Sequence, residues 1–330
     1  MNIFVAHCPA CKCDRFERVS TVAVKDLGYC WAMDRLCSSC HDYPSVQQIS
    51  KSAADWTERI EAAVHASEIS FYRCEQCQLE VASPSKCWAE GQYTEDENYP
   101  IRWEFERFLD DLGPIPRRIL ELGCGTGVFL DLARKRGHSV VGVDFSSNAV
   151  SVARSKGLDV VCGGFDTLQT HVSQEDLRFD AVAMFHVIEH LPRPESVLME
   201  LSRFVKKDSL LGISCPGPRR FTKFISVQQV KNRDFWDYPP HHVLRWNPRA
   251  LSSLLERNSW SVIQSLEEPL IINAAAAQWG VTTAMWKGYR GSAIRRRFTI
   301  LVARLRLFEK SISGRCAGLS LYTLAKYGQS

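Results

Sequence analysis

A glycine-rich turn joins a strand to a helix near residue 125 and leaves few folds open to this chain. Residues 119–127 read Ile-Leu-Glu-Leu-Gly-Cys-Gly-Thr-Gly, an apolar strand that runs into a GxGxG turn, and a helical pattern follows at once. Glycines suit such a turn because they accept a tight backbone and let a ligand approach with no Cβ in the way. The next predicted strand ends in Asp144, where a carboxylate can accept both hydroxyls of a ribose. The pattern predicts a ligand crevice at the carboxyl ends of adjacent strands.

Strand and helix patterns alternate around this turn. The predicted strands are 118–122, 140–144, 158–162, 179–184, 210–215, 260–266 and 319–325, with helical patterns in the gaps. Such alternation is typical of a doubly wound, Rossmann-like α/β sheet that is mostly parallel. We assign this domain to residues 115–330, and a polar connector with an aromatic docking helix to residues 91–114.

Two segments carry a family resemblance. The combination of Glu-Leu-Gly-Cys-Gly-Thr-Gly at 121–127 and Val-Val-Gly-Val-Asp-Phe-Ser at 140–146 resembles the class I S-adenosylmethionine-dependent methyltransferase family. It differs from the GxGxxG of NAD enzymes, whose glycines are spaced to receive a pyrophosphate. The resemblance implies an enzyme that binds S-adenosylmethionine through Glu121, Gly123, Gly125, Gly127, Asp144 and Phe145. The glycines would line the methionine end, Asp144 would hold the ribose, and Phe145 would lie beside the adenine.

The segment after the third strand departs from the family. Members usually carry Gly-Asp-Ala there, with the carboxylate on the adenine amine, whereas residues 162–166 read Cys-Gly-Gly-Phe-Asp. We expect Gly164 and Phe165 at the cofactor, and whether Asp166 supplies the displaced carboxylate stays open.

Residues 179–192 carry a second specific match. They read Phe-Asp-Ala-Val-Ala-Met-Phe-His-Val-Ile-Glu-His-Leu-Pro and resemble the FDxVxxxxVIEHL stretch of small-molecule, lipid-quinone and sugar methyltransferases. By this resemblance, Phe185 and the backbone of His186 touch the cofactor. His190 is the candidate base for the acceptor's proton, oriented by Glu189, because the ordinary pKa of histidine lies near working pH. In the alternative interpretation, Glu189 and His190 cap the next helix and only shape the pocket.

A loop with two adjacent histidines lies further along the chain. Residues 235–246 read Phe-Trp-Asp-Tyr-Pro-Pro-His-His-Val-Leu-Arg-Trp and resemble the PPHHxxxW segment of the same subfamily, whose loop closes over the acceptor. His241 and His242, with the neighbouring tryptophans, suit a pocket for a polar ring. A purely structural role for either histidine is the alternative.

Cysteines are concentrated at the start of the chain. Nine of thirteen precede residue 88, and six form CxxC pairs: Cys8/Cys11, Cys37/Cys40 and Cys74/Cys77. In an intracellular chain such pairs indicate metal binding rather than disulfides, so residues 1–90 are predicted to be a zinc-ribbon-like module. The first and third pairs resemble the CPxC…YRCxxCGL knuckles of sugar-modifying methyltransferases, which implies that they hold one structural Zn²⁺. Cys37/Cys40 could instead join the first pair, and a second metal is a further alternative.

Positive charge is concentrated at the other end. Residues 271–330 contain ten Lys or Arg and one acidic residue, whereas the rest contains 31 basic and 36 acidic residues. Ile294, Phe298, Leu301, Leu305 and Phe308 recur at helical spacing among arginines. This pattern predicts a basic amphipathic helix within an insertion at about 270–315. Its partner could be an anionic membrane around residues 290–310; nucleic acid, or packing on the core with solvated arginines, is the alternative.

Composition sets the remaining limits. With 330 residues, 45% hydrophobic and 24% charged, the chain is globular rather than fibrous or disordered. No apolar run approaches the ~20 residues that span a bilayer, and the start lacks a secretory signal, so we expect a cytoplasmic protein, peripheral to a membrane if the basic helix binds one. The predicted reaction is methyl transfer from S-adenosylmethionine to a hydroxyl or carbon of a sugar, glycan or related small metabolite by in-line displacement. An RNA methyltransferase is the alternative, and a non-catalytic cofactor-binding scaffold is a second one.

Overall fold

The computed structural model describes residues 6–39, 44–88, 100–172, 178–225, 229–230, 233–278 and 293–328. In chain order its elements are β1 (Phe16–Ala23), α1 (Val24–Ser39), α2 (Val46–Val64), β2 (Glu68–Cys74), β3 (Glu80–Ser83), α3 (Trp103–Leu112), β4 (Arg118–Leu122), α4 (Val128–Lys135), β5 (Ser139–Asp144), α5 (Ser147–Ser155), β6 (Val160–Cys162), α6 (Phe165–His171), β7 (Phe179–Phe185), α7 (Pro194–Leu201), β8 (Val205–Pro216), α8 (Thr222–Ile225), β9 (Gln229–Val230), β10 (Arg233–Asp234), β11 (Leu244–Arg245), α9 (Pro248–Arg257), β12 (Trp260–Glu267), α10 (Ala293–Ile312) and β13 (Ser320–Tyr327). Short 3₁₀ turns occur at Ile188–His190, Ser202–Phe204 and Phe235–Asp237.

Seven strands form the central sheet in the order β12-β13-β8-β7-β4-β5-β6. The strands from β4 to β8 run parallel, and β13 is antiparallel to both of its neighbours. Both faces of the sheet are covered, so strands such as β7 are apolar almost throughout. The predicted Rossmann-like α/β fold is confirmed.

One predicted strand is shorter than its pattern indicated. The sequence favoured a strand over 158–162, but β6 begins only at Val160. The backbone N–H of Leu158 still donates to the carbonyl of Ala153 at the end of α5. That residue therefore belongs to the helix terminus and cannot start the strand.

The aromatic helix α3 docks on the sheet as expected. Its Phe105 and Phe108 pack against Phe129 of α4 and Phe185 of β7, with ring centroids 5.0 to 6.0 Å apart within this group. Gly212 in β8 makes room, because a Cβ there would lie 2.6 Å from the ring of Phe108. The docking helix spans Trp103–Leu112, and residues 91–99 of the predicted connector lie outside the described residues.

The amino-terminal module is larger than a ribbon. Its sheet has the order β1-β2-β3-β11, and β11 comes from the segment that follows the histidine pair. Two packed helices, α1 and α2, fill the interval between the first and last CxxC pairs. The second of these helices, α2, spans Val46–Val64 and begins with a capping box of Ser45 and Gln48. Helix α1 was not predicted, because its buried residues follow no single stripe.

The basic helix α10 lies in the chain between β12 and β13, as predicted. It has two apolar faces, of which one is buried and the other is exposed. Ala303 and Leu307 are buried against Phe221 and Ala276. The five residues that defined the predicted stripe are 53% to 82% exposed. Packing of this stripe on the core, which the sequence left open, is therefore not what the structure contains. Within the described part of the chain, no helix combines the length and the apolar character needed to cross a membrane.

Candidate active site

A cavity of about 1420 Å³ opens at the carboxyl ends of β4, β5 and β7. Of the residues that the sequence assigned to cofactor or acceptor, its wall includes Glu121, Gly123, Gly125, Asp144, Phe145, Gly164, Phe165, Phe185, His186, Glu189, His190, His241 and His242. Gly127 is not on the wall. It precedes α4, and a Cβ there would lie 2.4 Å from Leu158 Cδ1, so its role is to let that helix pack closely.

The glycine turn is held by the acidic residue at the end of β5. The backbone N–H of Gly125 donates to Asp144 Oδ2 and that of Ser146 to Oδ1, both at 2.8 Å. Gly125 has a φ of +51°, and a Cβ built on it meets no heavy atom within 4 Å. The turn thus presents bare backbone to open space in the cavity.

Glu121 lies behind this turn with its side chain buried. Its Oε2 has no hydrogen-bond partner among the described residues. Burial raises the pKa of this carboxyl well above its usual range, and the nearby Asp144 raises it further. A cation bound in front of Glu121 would reverse this effect, because it stabilises the charged carboxylate.

Aromatic and acidic groups surround the next part of the wall. The ring of Phe145 is largely exposed and lies next to Gly164, where a Cβ would be 3.5 Å from Phe145 Cζ. Phe165 stacks on Phe204 with centroids 5.2 Å apart. Asp166, in the first turn of α6, also lines the cavity, where its carboxylate could contact a cofactor.

His186 links two carboxylates below the cavity. Its Nε2 is 2.9 Å from Glu104 Oε1, and its Nδ1 is 3.3 Å from Glu189 Oε1. Burial disfavours the charged imidazole, but the two carboxylates prevail and raise the pKa of His186. The same contact lowers the pKa of Glu104, against the effect of burial. The residue has a left-handed backbone, with a φ of +54°.

Three imidazoles, those of His190, His241 and His242, line the part of the cavity that the sequence assigned to the acceptor. The Nδ1 of His190 donates to the carbonyl of His241 at 2.6 Å, which leaves the lone pair of the neutral ring on Nε2. Burial and the neighbouring His242 lower the pKa of His190 to about 4. The ring is therefore neutral at physiological pH. Glu189 is 1% exposed, and neither of its oxygens accepts a hydrogen bond of good geometry from the described residues.

Two hydrogen bonds to backbone carbonyls fix the histidine segments to each other. The N–H of Val243 donates to the carbonyl of Glu189 at 3.0 Å, and Trp246 Nε1 donates to the carbonyl of Ile188 at 3.2 Å. The turn after β7 and the loop before β11 therefore meet as one unit, although 51 residues separate His190 from His241.

The family model of the methyltransferase domain matches residues 93–265, more than half of the chain. The chain belongs to the class I S-adenosylmethionine-dependent methyltransferase family. The match covers the glycine turn, the acid at the end of β5 and all three imidazoles.

Individual relatives match this methyltransferase over shorter stretches. The ubiquinone biosynthesis O-methyltransferase of Paracidovorax citrulli is 34% identical over 106 residues, which are 30% of this chain and 44% of that protein. The protein of the same name from Idiomarina loihiensis is 27% identical over 158 residues, 46% of this chain and 59% of that protein. The chain thus spans about half the length of these curated relatives. Among solved structures, phosphoethanolamine N-methyltransferase 2 of Haemonchus contortus matches with a TM-score of 0.47 and 15% identity, over 69% of this chain and 53% of that one.

The amino-terminal module of the methyltransferase supplies part of the cavity wall. Trp31 of α1 reaches the cavity beside Arg35, and its ring centroid lies 4.4 Å from that of Trp236 and 6.0 Å from that of His241. Sequence reasoning missed these α1 residues. The only available signal was a tryptophan within a helix of no clear periodicity, which is too weak to place.

Four cysteine sulfurs of this module converge. The distance between Sγ atoms is 3.5 Å for Cys8 and Cys77 and 3.4 Å for Cys11 and Cys74, and all four lie within 4.8 Å of one another. Cys40 and the side chain of Cys37 lie outside the described residues.

Proposed function

We propose that this methyltransferase transfers a methyl group to a hydroxyl of a small molecule with a polar ring, of which a sugar unit is the proposed example. The two ubiquinone biosynthesis enzymes named above are O-methyltransferases, which supports oxygen as the methylated atom. The wall combines tryptophan rings with histidines and Arg35, which suits a ring that carries hydroxyl groups.

The donor half of the cavity fits S-adenosylmethionine. That molecule carries a positive charge on its sulfonium and amino groups, and Glu121 offers a buried carboxyl oxygen that has no hydrogen-bond partner among the described residues. The open space in front of Gly125 allows the methionine end to lie against the backbone. Asp144 is proposed to hold the ribose hydroxyls, with Phe145 beside the adenine. When bound, S-adenosylmethionine supplies an electrophilic methyl group.

The acceptor half is proposed to align the hydroxyl with that methyl group. Alignment of reacting atoms supplies most of the acceleration in a displacement of this kind. The three imidazoles face the acceptor hydroxyl, and His190 is the candidate that draws its proton away. Glu189 and His186 keep this part of the wall polar.

The observation that carries the proposal is that both halves line one cavity. The test is to incubate the purified chain with methyl-labelled S-adenosylmethionine and fractionated extract of the native host. We expect label in small metabolites or sugar conjugates, and at least about a hundredfold less with His190→Ala. Label confined to RNA would contradict the proposal and support the nucleic-acid alternative.

A structural Zn²⁺ in the amino-terminal module is part of the proposal. A tetrahedral ion with Zn–S bonds of about 2.3 Å places its sulfurs about 3.8 Å apart, which agrees with the spacing of Cys8, Cys11, Cys74 and Cys77. Four thiolates close the coordination shell, so this ion would hold the module together and take no part in methyl transfer.

Contact of α10 with an anionic membrane is also proposed. At 100° per residue, Phe298, Leu301 and Leu305 share one face, which is exposed. Arg297 and Arg304 border this face, and their side chains are exposed too. A helix with this arrangement can bury its apolar face among lipid chains while the arginines meet the headgroups. The opposite face packs on Phe221, next to residues of the cavity wall, so a lipid-linked acceptor would have a short path to the site.

A further inference from the structure

The imidazoles of His190, His241 and His242 form a compact cluster on the acceptor wall. Their closest ring nitrogens all lie within 4.8 Å of one another. A cation bound by three nitrogens at about 2.1 Å needs them about 3.4 Å apart, so small side-chain rotations would close the cluster around an ion. Three adjacent imidazoles from two chain segments are more than the alignment of one hydroxyl requires.

The hydrogen bonds behind the cluster are those typical of metal-bound histidines. Such residues usually donate their second ring N–H to a backbone carbonyl or a carboxylate, which fixes the tautomer and orients the ring. His190 Nδ1 donates to the carbonyl of His241 at 2.6 Å. His242 Nδ1 lies 3.5 Å from Asp237 Oδ1, and Asp237 is held in turn by Arg220. In both rings, Nε2 keeps the lone pair that a metal would use.

A buried carboxylate beside the cluster also favours the binding of a cation there. Glu189 is 1% exposed, lines the cavity and accepts no well-formed hydrogen bond from the described residues. Its Oε1 lies 3.9 Å from His242 Nε2. Glu104 and Glu189 share the single imidazole of His186, and the hydroxyls of Ser214 and Ser320 donate to Glu104 only. Buried charges are normally paired or bound to metals.

We propose that His190, His241 and His242 bind a divalent transition-metal ion of the zinc class, with one coordination position left open to the acceptor's hydroxyl oxygen. Neutral imidazoles suit zinc, iron or copper, whereas magnesium prefers oxygen ligands. Three protein ligands and an open fourth position are typical of catalytic zinc, in contrast to the closed set of four thiols in the amino-terminal module.

The ion would give the cluster a chemical role in methyl transfer. This role rests on the proposed function, whereas the binding of the ion does not. The ion would attract electron density from the hydroxyl oxygen and make its proton more acidic. The ion would then replace His190 as the group that activates the hydroxyl, because a ring nitrogen whose lone pair binds the ion cannot also accept the proton. The O–H bond breaks, its electron pair stays on oxygen, and the proton passes to water in the cavity. That oxygen then forms the new O–CH₃ bond while the S–CH₃ bond breaks and its electron pair goes to sulfur.

The test is a cobalt titration of the full chain. Passage over an iminodiacetate resin strips weakly held ions, and Co²⁺ is then added while visible absorption is recorded. We expect a saturable d–d absorption typical of nitrogen and oxygen ligands in the wild type. It should be lost in the double variant His241→Gln/His242→Gln and kept in His171→Gln, which removes a histidine from the distant α6. Co²⁺ that exchanges into the cysteine site gives sulfur-to-cobalt charge-transfer absorption, so the spectra distinguish binding at the cysteines from binding at the histidines.

Two further readings make the result decisive. Binding of S-adenosylmethionine and an unchanged melting temperature show that the double variant is folded. Absence of the d–d band in the wild type, or an equal band in the double variant, would overturn the site. Full methyl transfer by resin-treated protein without added cation would overturn its catalytic role. Cobalt binding without any methyl transfer would refute the proposed function and leave the metal site standing.

Discussion

Two glycines of one turn face different neighbours. Gly125 has a φ of +51° and open space at its Cβ position, whereas a Cβ on Gly123 would lie 2.4 Å from Val187 Cγ2. Both have a left-handed backbone that favours glycine, but only Gly123 meets a neighbouring side chain, whereas the space in front of Gly125 is proposed to be filled by the cofactor.

This difference predicts opposite effects of alanine. Gly125→Ala should cost only about 1–2 kcal/mol of stability, from its left-handed backbone, but weaken S-adenosylmethionine binding by at least about tenfold because a methyl group enters the cofactor space. Gly123→Ala should add a packing penalty of about 1–3 kcal/mol to the same strain. Calorimetric titration and thermal unfolding check both. Unchanged cofactor affinity in Gly125→Ala would show that the cofactor does not lie against this turn.

A second prediction concerns the buried carboxyl of Glu121. Its raised pKa means that it holds a proton at moderately acidic pH, where it must release that proton before it can pair with the cationic cofactor. The affinity for S-adenosylmethionine should therefore fall as the pH drops below this pKa and reach a plateau above it. Glu121→Gln should abolish the slope and lower the plateau by about tenfold. Dissociation constants measured across a pH series check this; an identical slope in both proteins would contradict it.

At the scale of single elements, the sequence pattern of α10 predicts the helix but not the face that it buries. Periodicity predicted a helix with one apolar face, and the helix is present. Periodicity did not predict that Ala303 and Leu307, on the other side, would be the residues that pack inward. Small and apolar residues lie on both sides of the helix, so the sequence alone does not tell which side packs against Phe221.

The exposed face of α10 leads to a third prediction. Each large apolar side chain transferred from water contributes about 1.5–3 kcal/mol, and each arginine near an anionic surface about 1 kcal/mol. Phe298→Ser/Leu305→Ser should reduce binding to phosphatidylglycerol-containing vesicles more than about tenfold, and Arg297→Glu/Arg304→Glu should reduce it strongly. Arg249→Glu on α9, also exposed, is the matched control for charge. Co-sedimentation measures binding. Equal sedimentation of all variants would remove the membrane from the proposal.

At the scale of the whole molecule, the amino-terminal module and the methyltransferase core share structure. Leu244 of β11 pairs with Val81 of β3, only two residues after His242. The core thus completes the module's sheet, and α1 of the module returns Trp31 to the cavity wall. The proposed acceptor site therefore draws its wall from both parts, whereas the residues proposed for the donor site belong to the core.

This dependence predicts a selective effect of metal loss. Cys74→Ser should release the proposed Zn²⁺, lower the melting temperature and weaken acceptor binding, while S-adenosylmethionine affinity changes less than about twofold. Cys13→Ser, next to the first knuckle but outside the sulfur cluster, is the matched control. Metal analysis, thermal unfolding and titration of both ligands check the prediction. Equal loss of donor and acceptor affinity would show that the module supports the whole fold rather than one side of the cavity.

The sequence by itself determined the central sheet, the glycine turn and the acid that holds it. These features are local: strand periodicity and glycine backbone freedom act over a few residues, and Asp144 follows the turn by one strand and helix. The same locality made the prediction of α3 correct and placed the four clustered cysteines in recognisable pairs.

Only the tertiary structure decided how distant segments combine. His190 and His241 are adjacent because residues on either side of β11 donate hydrogen bonds to backbone carbonyls of the turn after β7, and no periodic pattern records such a contact. The same holds for Trp31, for the stripe of α10 that stays exposed, and for the buried carboxylate of Glu189 beside His186. Burial and the neighbours of a charged group are properties of the packed chain, so the chemistry of the acceptor side could not be deduced from residue order alone.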